Sequence, residues 1–395
     1  MTPPLSRSCV VSAIGVAQIL AWGASYYLPA VTASAIAADT GWPIQWVVGG
    51  LSIGLTSGAI VSPLVGRTIQ SRGGRFVLCL SSIALALGLL IVASSNSLEV
   101  YFTGWAVIGL GMGAGLYDAV FSTLGGLYGQ AARPAISSVT LFGGFASTLC
   151  WPLTAFLLEQ VGWRGACVAY AMMHLMVCLP LYAWAIPVQG LATKSLAKGS
   201  DVRVAVDERV PNFILLLVLL CCVNLLVSAI GVIIAVQLID LLRYSGAGLA
   251  TAVGLAALLG PAQVASRLLE RVSGGLFHPA WVLALSSALV AGGSGLLAFG
   301  LSFAALALVI YGAGAGLHSI ARGSTPLALF GSRDYAVTMG KLAGPMLFAQ
   351  AIAPVASTLV LESYGAKVLL YGLALAALAA FALSCAILIT VRGRA

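Results

Sequence analysis

Charge is scarce in this chain: nineteen Lys and Arg and eleven Asp and Glu make up 8% of its 395 residues. A water-soluble domain carries about 25% charged residues, so a soluble fold is excluded. The polar–apolar alternation of barrel strands is missing as well, which leaves helices as the way across lipid. There is no G-x-x-x-x-G-K-[S/T] and no H-E-x-x-H, so neither the phosphate cradle of an ATP-driven pump nor a metallopeptidase zinc site is present. The eight cysteines show no C-x-x-C spacing and fall almost entirely inside apolar runs. They read as buried thiols, with no disulfide framework and no metal site. On these absences the chain is read as no enzyme and as holding no cofactor.

What the chain has in abundance is apolar side chain: 61% of residues are hydrophobic and the mean hydropathy is +1.06. A spanning helix takes about 20 such residues, and twelve runs of that order can be traced. The first six are Cys9–Ala37, Pro43–Val65, Phe76–Ser95, Val100–Tyr128, Ala135–Leu158 and Gly165–Pro187. The other six are Phe213–Ile239, Ala247–Leu268, Phe277–Gly300, Phe303–Phe330, Ala336–Leu361 and Val368–Val391. The apolar run within Met1–Ala37 is too long for a secretory signal and is read as a retained first span.

Basic residues orient these spans. Arg7, Arg67, Arg72, Arg75 and Arg133 fall on one side, with Lys194, Lys198, Arg203, Arg209, Arg271, Arg333, Arg392 and Arg394. Arg164, Arg243 and Lys367 fall on the other. Positive charge collects on the cytoplasmic side. Both termini are therefore expected in the cytoplasm, with the chain in a bacterial-type inner (plasma) membrane and monomeric. The formal net charge of +8 follows from this asymmetry and implies no nucleic-acid partner.

Arg322, Arg267 and Lys341 lie within spans. A fixed cation at the bilayer centre costs ~2.5–3.5 kcal/mol on insertion scales and by default marks a substrate or ion path. Arg322 stands in a run, Phe303–Phe330, with no other full charge, and its planar fork suits a carboxylate. A structural cation neutralised by Asp118 or by carbonyls is the alternative. Arg267 lies near the end of its span and either snorkels to the interface or meets the substrate. Asp118 stands about ten residues, or ~15 Å, from the cytoplasmic end of its span. It is a proton carrier, a permanent ion-pair partner of Arg322 or Lys341, or a helix-capping residue. His318, one turn before Arg322, is either a group titrating near neutral pH or a packed imidazole. Tyr26, Tyr27, Tyr117 and Trp151 are amphipathic rings that either line a cavity or pack. Trp151-Pro152 and Gly260-Pro261 are expected to bend their helices.

The polar stretch 188–211 separates six spans from six, giving an N-terminal bundle over 1–187, a cytoplasmic linker, and a C-terminal bundle over 212–395. The halves are alike. Gly113-Ala114-Gly115-Leu116-Tyr117 recurs as Gly314-Ala315-Gly316-Leu317-His318. More weakly, Val65-Gly66-Arg67 with Gly73-Gly74-Arg75-Phe76 is echoed by Val264-Ala265-Ser266-Arg267 with Gly274-Gly275-Leu276-Phe277. This register pairs Tyr117 with His318, Phe121 with Arg322, and Arg67 with Arg267. Such a repeat implies two pseudo-symmetric six-helix bundles and a substrate site near the membrane midplane. The glycines Gly109, Gly111, Gly113 and Gly115, and Gly312, Gly314 and Gly316, permit close helix approach, for sliding or for static packing.

Over essentially its whole length the chain resembles the major facilitator superfamily. Gly66-Arg67-Thr68-Ile69-Gln70-Ser71-Arg72-Gly73-Gly74-Arg75 is similar to that superfamily's G-x-x-x-D-R-x-G-R-R loop, which implies that Gly66, Arg67, Arg72, Gly73 and Arg75 form a cytoplasmic gating loop. It departs at Gln70, where the family has Asp. Within the superfamily the chain most resembles the monocarboxylate transporter and oxalate–formate antiporter branch. Gly23-Ala24-Ser25-Tyr26-Tyr27-Leu28-Pro29 resembles the branch's G-x-S-Y-x-x-P, and Gly162-Trp163-Arg164-Gly165 its G-W-R-G. Gln263-Val264-Ala265-Ser266-Arg267 resembles its [D/N]-x-x-x-R, implying that Arg267 meets a substrate carboxylate and Gln263 sits at the proton-carrying Asp. The branch's helix-one lysine is absent, since Ala30 or Val31 falls there. Lys341 resembles the buried lysine of the oxalate–formate members.

The expectation is an all-α membrane protein acting as a secondary transporter of a small organic anion, by alternating access, with protons or a counter-substrate. The rival in the same fold is efflux of a neutral or cationic drug or metabolite. A sensor or scaffold would favour a sizeable soluble appendage, and only the linker and a four-residue tail after Val391 lie outside the spans at that end.

Overall fold

The computed structural model describes residues 6–188, 212–273 and 276–392. The linker charges Lys194, Lys198, Asp201, Arg203, Asp207, Glu208 and Arg209 lie outside the described residues, as do the pair Gly274-Gly275 and Arg394. Everything described is helix, turn or short connection, with no strand among the described residues.

The first pass is broken. Helix α1 (Arg7–Gly23) stops before α2 (Pro29–Thr40), and residues 24–28 form turns. Pro29 offers no N–H, so the preceding turn cannot close its ladder. Second and third passes are the single helices α3 (Ile44–Arg72) and α4 (Gly74–Ala93). A break also divides the fourth, into α5 (Leu98–Gly115) and α6 (Tyr117–Tyr128), at Leu116, whose backbone is extended. A 3₁₀ turn, Gly129–Ala132, leads into α7 (Arg133–Gly144) and the long α8 (Ala146–Met173). Gly162 interrupts α8 with φ 69°, a left-handed conformation that suits glycine, and so separates the fifth pass from the sixth. A π turn, His174–Cys178, and α9 (Leu179–Ala185) complete the sixth.

The remaining passes repeat the plan. They are α10 (Phe213–Tyr244), the pair α11 (Leu249–Ala256) and α12 (Leu259–Val272), α13 (Pro279–Ala298) and α14 (Ala304–Phe330). The last two share α15 (Tyr335–Arg392), interrupted at Gly365 with φ 83°. Among the described residues, eight helical stretches are long and apolar enough to cross a membrane. Two of them, Leu98–Ala185 and Tyr335–Val391, each hold more than one pass.

Two local expectations are corrected. The gating loop is mostly helix: Gly66, Arg67 and Arg72 belong to the last turns of α3, and only Gly73 lies outside a helix. Asp118 is not deep in a continuous helix but in the first turn of α6. Trp151-Pro152 sits inside α8, and that pass is interrupted earlier, at Phe145 between α7 and α8. In addition, Gly50-Leu51-Ser52-Ile53-Gly54 spells G-x-S-x-G, yet it lies within continuous α3, where no strand-to-helix turn can expose the serine.

The described residues fall into two compact units. Unit 1 holds residues up to 188 together with Phe330–Gly344; unit 2 holds Asn212–Leu329 and the residues from Pro345 onward.

Candidate functional site

In unit 1 the rings expected to line a cavity come together. Trp22, which the sequence reading did not single out, is the hub: its ring lies 5.4 Å from Tyr26, 6.0 Å from Tyr27 and 4.9 Å from Tyr117. Tyr26 and Tyr27 meet edge-to-face at 5.4 Å, and Tyr27 meets Trp151 the same way at 6.1 Å. Tyr117 stacks on Phe121 at 5.3 Å. Two helix breaks assemble this cluster. Tyr26 and Tyr27 occupy the turn between α1 and α2, and Tyr117 opens α6. The i, i+4 spacing of Trp22 and Tyr26 was the available signal for the missed hub.

The break at Leu116 needs a partner for its backbone, because lipid supplies none. Gln18 of α1 provides it. Fully buried, its Nε2 donates to the Gly115 carbonyl at 2.7 Å and to the Tyr182 hydroxyl at 3.3 Å. The half-helix that follows carries Asp118 at its start, where the positive end of the backbone dipole favours negative charge. Ser122 Oγ donates to the Asp118 carbonyl at 2.7 Å.

Beside the Tyr27–Trp151 contact lies a cleft of about 490 Å³. Ala30 and Val31 of α2 form one wall, and Ser147, Thr148, Trp151 and Ala155 of α8 the other. The two residues standing where the family's helix-one lysine falls are thus wall residues of an uncharged cleft.

At Gln70, where the family has Asp, the signature segment is tied to the turn before α15. Gln70 Nε2 donates to the Arg333 carbonyl. Gly66 approaches so closely that a Cβ there would stand 3.1 Å from Gly340 Cα. Lys341 follows in the same segment of unit 1 and is exposed. Arg72 lies 5.7 Å over the Phe76 ring.

The Gly-Trp-Arg-Gly motif forms a second clasp. Trp163 Nε1 donates to Asp39 Oδ2 at 2.9 Å, and Arg164 pairs with the same oxygen while donating to the Ser95 carbonyl at 3.1 Å. Arg164 also lies 4.1 Å over the Trp163 ring. Asp39 stands beyond the apolar run ending at Ala37, and the bond from Trp163, then that from Arg164, holds its carboxyl below the ordinary range.

In unit 2 Arg267 is 7% exposed, so it does not snorkel out of the protein. Its Nε donates to Ser319 Oγ at 3.1 Å, and a terminal nitrogen donates to Gln263 Oε1 at 3.4 Å. Glu270, one turn on, is equally buried; the sequence reading passed over it because it lay just beyond its span. His318 is buried, and neither ring nitrogen has a hydrogen-bond partner among the described residues. Arg322, half-buried one turn later, is within electrostatic reach of it. The predicted residues therefore divide: Arg322, Arg267, Gln263 and His318 belong to unit 2, whereas Lys341, Asp118 and the rings belong to unit 1.

The internal repeat is real in packing, but in a different register from the one read by letters. Gly109 and Gly113 pack on the backbone at Gly54 and Gly58 of α3; Gly312 and Gly316 pack on Leu259 and Gln263 of α12. Gly111 packs on Leu85 of α4, and Gly314 on Val290 of α13. Gly88 lies against Ile108 and Gly104, and Gly293 against Tyr311 and Ala307. These contacts match Gly113 to Gly316, two positions from the letter match. His318 then corresponds to Gly115, not Tyr117, and Arg322 to Ala119, not Phe121. Arg267 corresponds to Ser62, a buried residue inside α3, and not to Arg67. The slip arises because a glycine every second position looks the same when shifted by two, while only one shift puts each glycine on its proper neighbour.

A many-pass helical membrane protein, with buried charge and two of its passes broken around a shared ring cluster, is by class a solute carrier and not an enzyme. The sequence profile of the Major Facilitator Superfamily matches residues 14–340, and the chain belongs to that superfamily. Monocarboxylate transporter 6 of Mus musculus is 31% identical over 120 residues, 29% of this chain and 25% of that protein. The purine ribonucleoside efflux pump NepI of Escherichia coli (strain K12) is 32% identical over 151 residues, 37% of each chain. The match thus spans a quarter to little more than a third of these relatives. Among solved structures, the human organic anion transporter MFSD10 (TETRAN) superposes with a TM-score of 0.74 at 17% identity, covering 95% of this chain and 99% of that one. The proton:xylose symporter XylE superposes with a TM-score of 0.72 at 13% identity over 95% of each. At these identities the likeness is one of fold.

Proposed function

We propose that this chain is a secondary active transporter of a small, monocarboxylate-like organic anion, working by alternating access with a proton or a counter-substrate. The observation that carries the reading is Arg322, a fixed cation half-buried in α14, a helix with no other full charge. Such a side chain is retained in a membrane span at a cost that function repays. Arg267 and Lys341 are the supporting cations, with Gln263 and the rings Tyr26, Tyr27, Tyr117 and Trp151 around the substrate. Asp118 or His318 carries the coupling proton. Gly66, Arg67, Arg72, Gly73 and Arg75 gate the cytoplasmic side, and the stretches 1–187 and 212–395 move about the 188–211 linker. The protein works as a monomer in a bacterial-type inner membrane, with both termini cytoplasmic. Partial similarity to a monocarboxylate transporter supports the substrate class. In proteoliposomes, Arg322→Gln is expected to abolish carboxylate flux or to raise its half-saturation at least tenfold; unchanged flux and affinity would end the proposal.

The second reading is efflux of a neutral or cationic compound. It draws on the partial similarity to a purine ribonucleoside efflux pump and on the acid at the head of α6. There Asp118→Asn abolishes transport and Arg322→Gln spares it.

A further inference from the structure

We infer that the cleft between α2 and α8 is the subsite for an aromatic ring carried by the substrate, which makes aryl monocarboxylates the substrate class. The carboxylate half of this inference rests on the anion reading above; the ring half rests on unit 1 alone.

Three observations carry it. First, the cleft begins at Ala30, two residues past the turn at residues 24–28. Non-helical backbone at membrane depth is tolerated where it is buried in protein or borders a water-filled cavity, not where it faces lipid. Second, the cleft is walled by an aromatic face. Trp151 is held edge-to-face by Tyr27 at 6.1 Å, and yet 46% of it remains exposed. The cluster behind it positions the indole and leaves one side uncovered. At about 490 Å³ the cleft has the size of a site for one small organic molecule, commonly 300–1,000 Å³ or so.

Third, the cleft offers two uncommitted hydroxyls. Ser25, Thr32, Ser62, Thr123 and Thr154 each donate to a carbonyl of their own helix. That is how a hydroxyl is satisfied in a membrane helix. The hydroxyls of Ser147 and Thr148 make no hydrogen bond among the described residues, and both residues line the cleft. A hydroxyl pair beside an aromatic wall matches a ring bearing a polar substituent. With no charge in its lining, the cleft suits an uncharged ring and not a carboxylate.

Ring–ring contact adds to simple area burial by an amount worth about two- to tenfold in affinity. Benzoate, cyclohexanecarboxylate and benzyl alcohol separate ring, bulk and charge. The test is uptake and binding of each by the full chain in proteoliposomes, for the unaltered protein and for Trp151→Phe, Trp151→Ala and Thr148→Val. Benzoate is expected to be preferred over cyclohexanecarboxylate about two- to tenfold. That ratio is expected to survive in Trp151→Phe and to approach one in Trp151→Ala, while Thr148→Val is expected to lower the affinity for hydroxybenzoate relative to benzoate. Equal handling of benzoate and cyclohexanecarboxylate by the unaltered protein overturns the ring subsite while leaving the anion reading intact. Trp151-dependent binding of benzyl alcohol, without transport of any carboxylate, keeps the ring subsite and removes the anion. Should Trp151→Ala fail to fold, Trp151→Leu, which keeps bulk and removes the aromatic face, takes its place, and an unchanged ratio there overturns the ring subsite. Quenching of Trp151 by brominated lipid, with no protection by benzoate, marks the cleft as a lipid contact and overturns the inference.

Discussion

Gln70 donates its side-chain amide to the backbone carbonyl of Arg333, joining the end of α3 to the turn that precedes α15. Where the family signature places a carboxylate, this chain places a donor, and the group it meets is an acceptor. The latch is therefore neutral. It is backed by the close contact of Gly66 with Gly340.

Gln70→Glu keeps the shape of that side chain and turns its donor into a second acceptor. The bond is exposed, so water serves the groups it leaves; its loss, with two acceptors left facing each other, is expected to cost about 0.5–1.5 kcal/mol. Gln70→Ala, which removes the bond without adding an acceptor, is expected to cost less. Thermal unfolding in detergent orders the three proteins. Equal midpoints for the unaltered protein and Gln70→Glu would show that the latch contributes nothing.

Gln18 is the side chain on which the broken fourth pass depends. Its amide meets the Gly115 carbonyl at 2.7 Å in a fully buried place. Gln18→Leu leaves that carbonyl without a donor, and a buried unsatisfied group costs about 1–3 kcal/mol. The expected result is a lower unfolding midpoint, with reduced transport, because Tyr117 and Asp118 both follow the break. A leucine variant as stable and active as the original would mean that the break needs no cap.

The clasp at Asp39 has a pH signature. Its carboxyl is held below the ordinary value of 3.8 by Trp163 and Arg164. A depressed folded-state value means the contribution is fully present above the unfolded value, near 4, and is lost as pH falls through the lower folded value. The unfolding midpoint is expected to fall between pH 5 and pH 3 or so in the unaltered protein, and to fall less steeply in Asp39→Asn. Parallel pH profiles for the two would remove Asp39 from the acid response.

Much of the fold was legible because spans are long and redundantly apolar; no single residue decides them. The passes lie where the runs of hydrophobic residues lie, and the glycine stripes do mark where helices touch. The breaks were harder. The turn before Pro29 has a local cause in proline chemistry, but the one at Leu116 depends on the bond from Gln18 to Gly115, 97 residues apart. Glu270 escaped notice because its burial is set by the helices packed around α12 and not by its place in an apolar run. Arg267 likewise changed meaning: its packing counterpart is the buried Ser62, which only helix contacts could reveal.

By itself the sequence determined that this chain lives in a bilayer as helices, because hydropathy summed over about twenty residues outweighs every local preference. It also determined which few charges the membrane must accommodate, Arg322 and Asp118 among them. Tertiary structure alone decided the register of the two repeats, since the glycine pattern is nearly unchanged by a shift of two and only the neighbouring backbone distinguishes the alternatives. It alone gathered Trp22, Tyr26, Tyr27, Tyr117 and Trp151 into one cluster, because the rings come from three separate passes and meet only where two of those passes are interrupted.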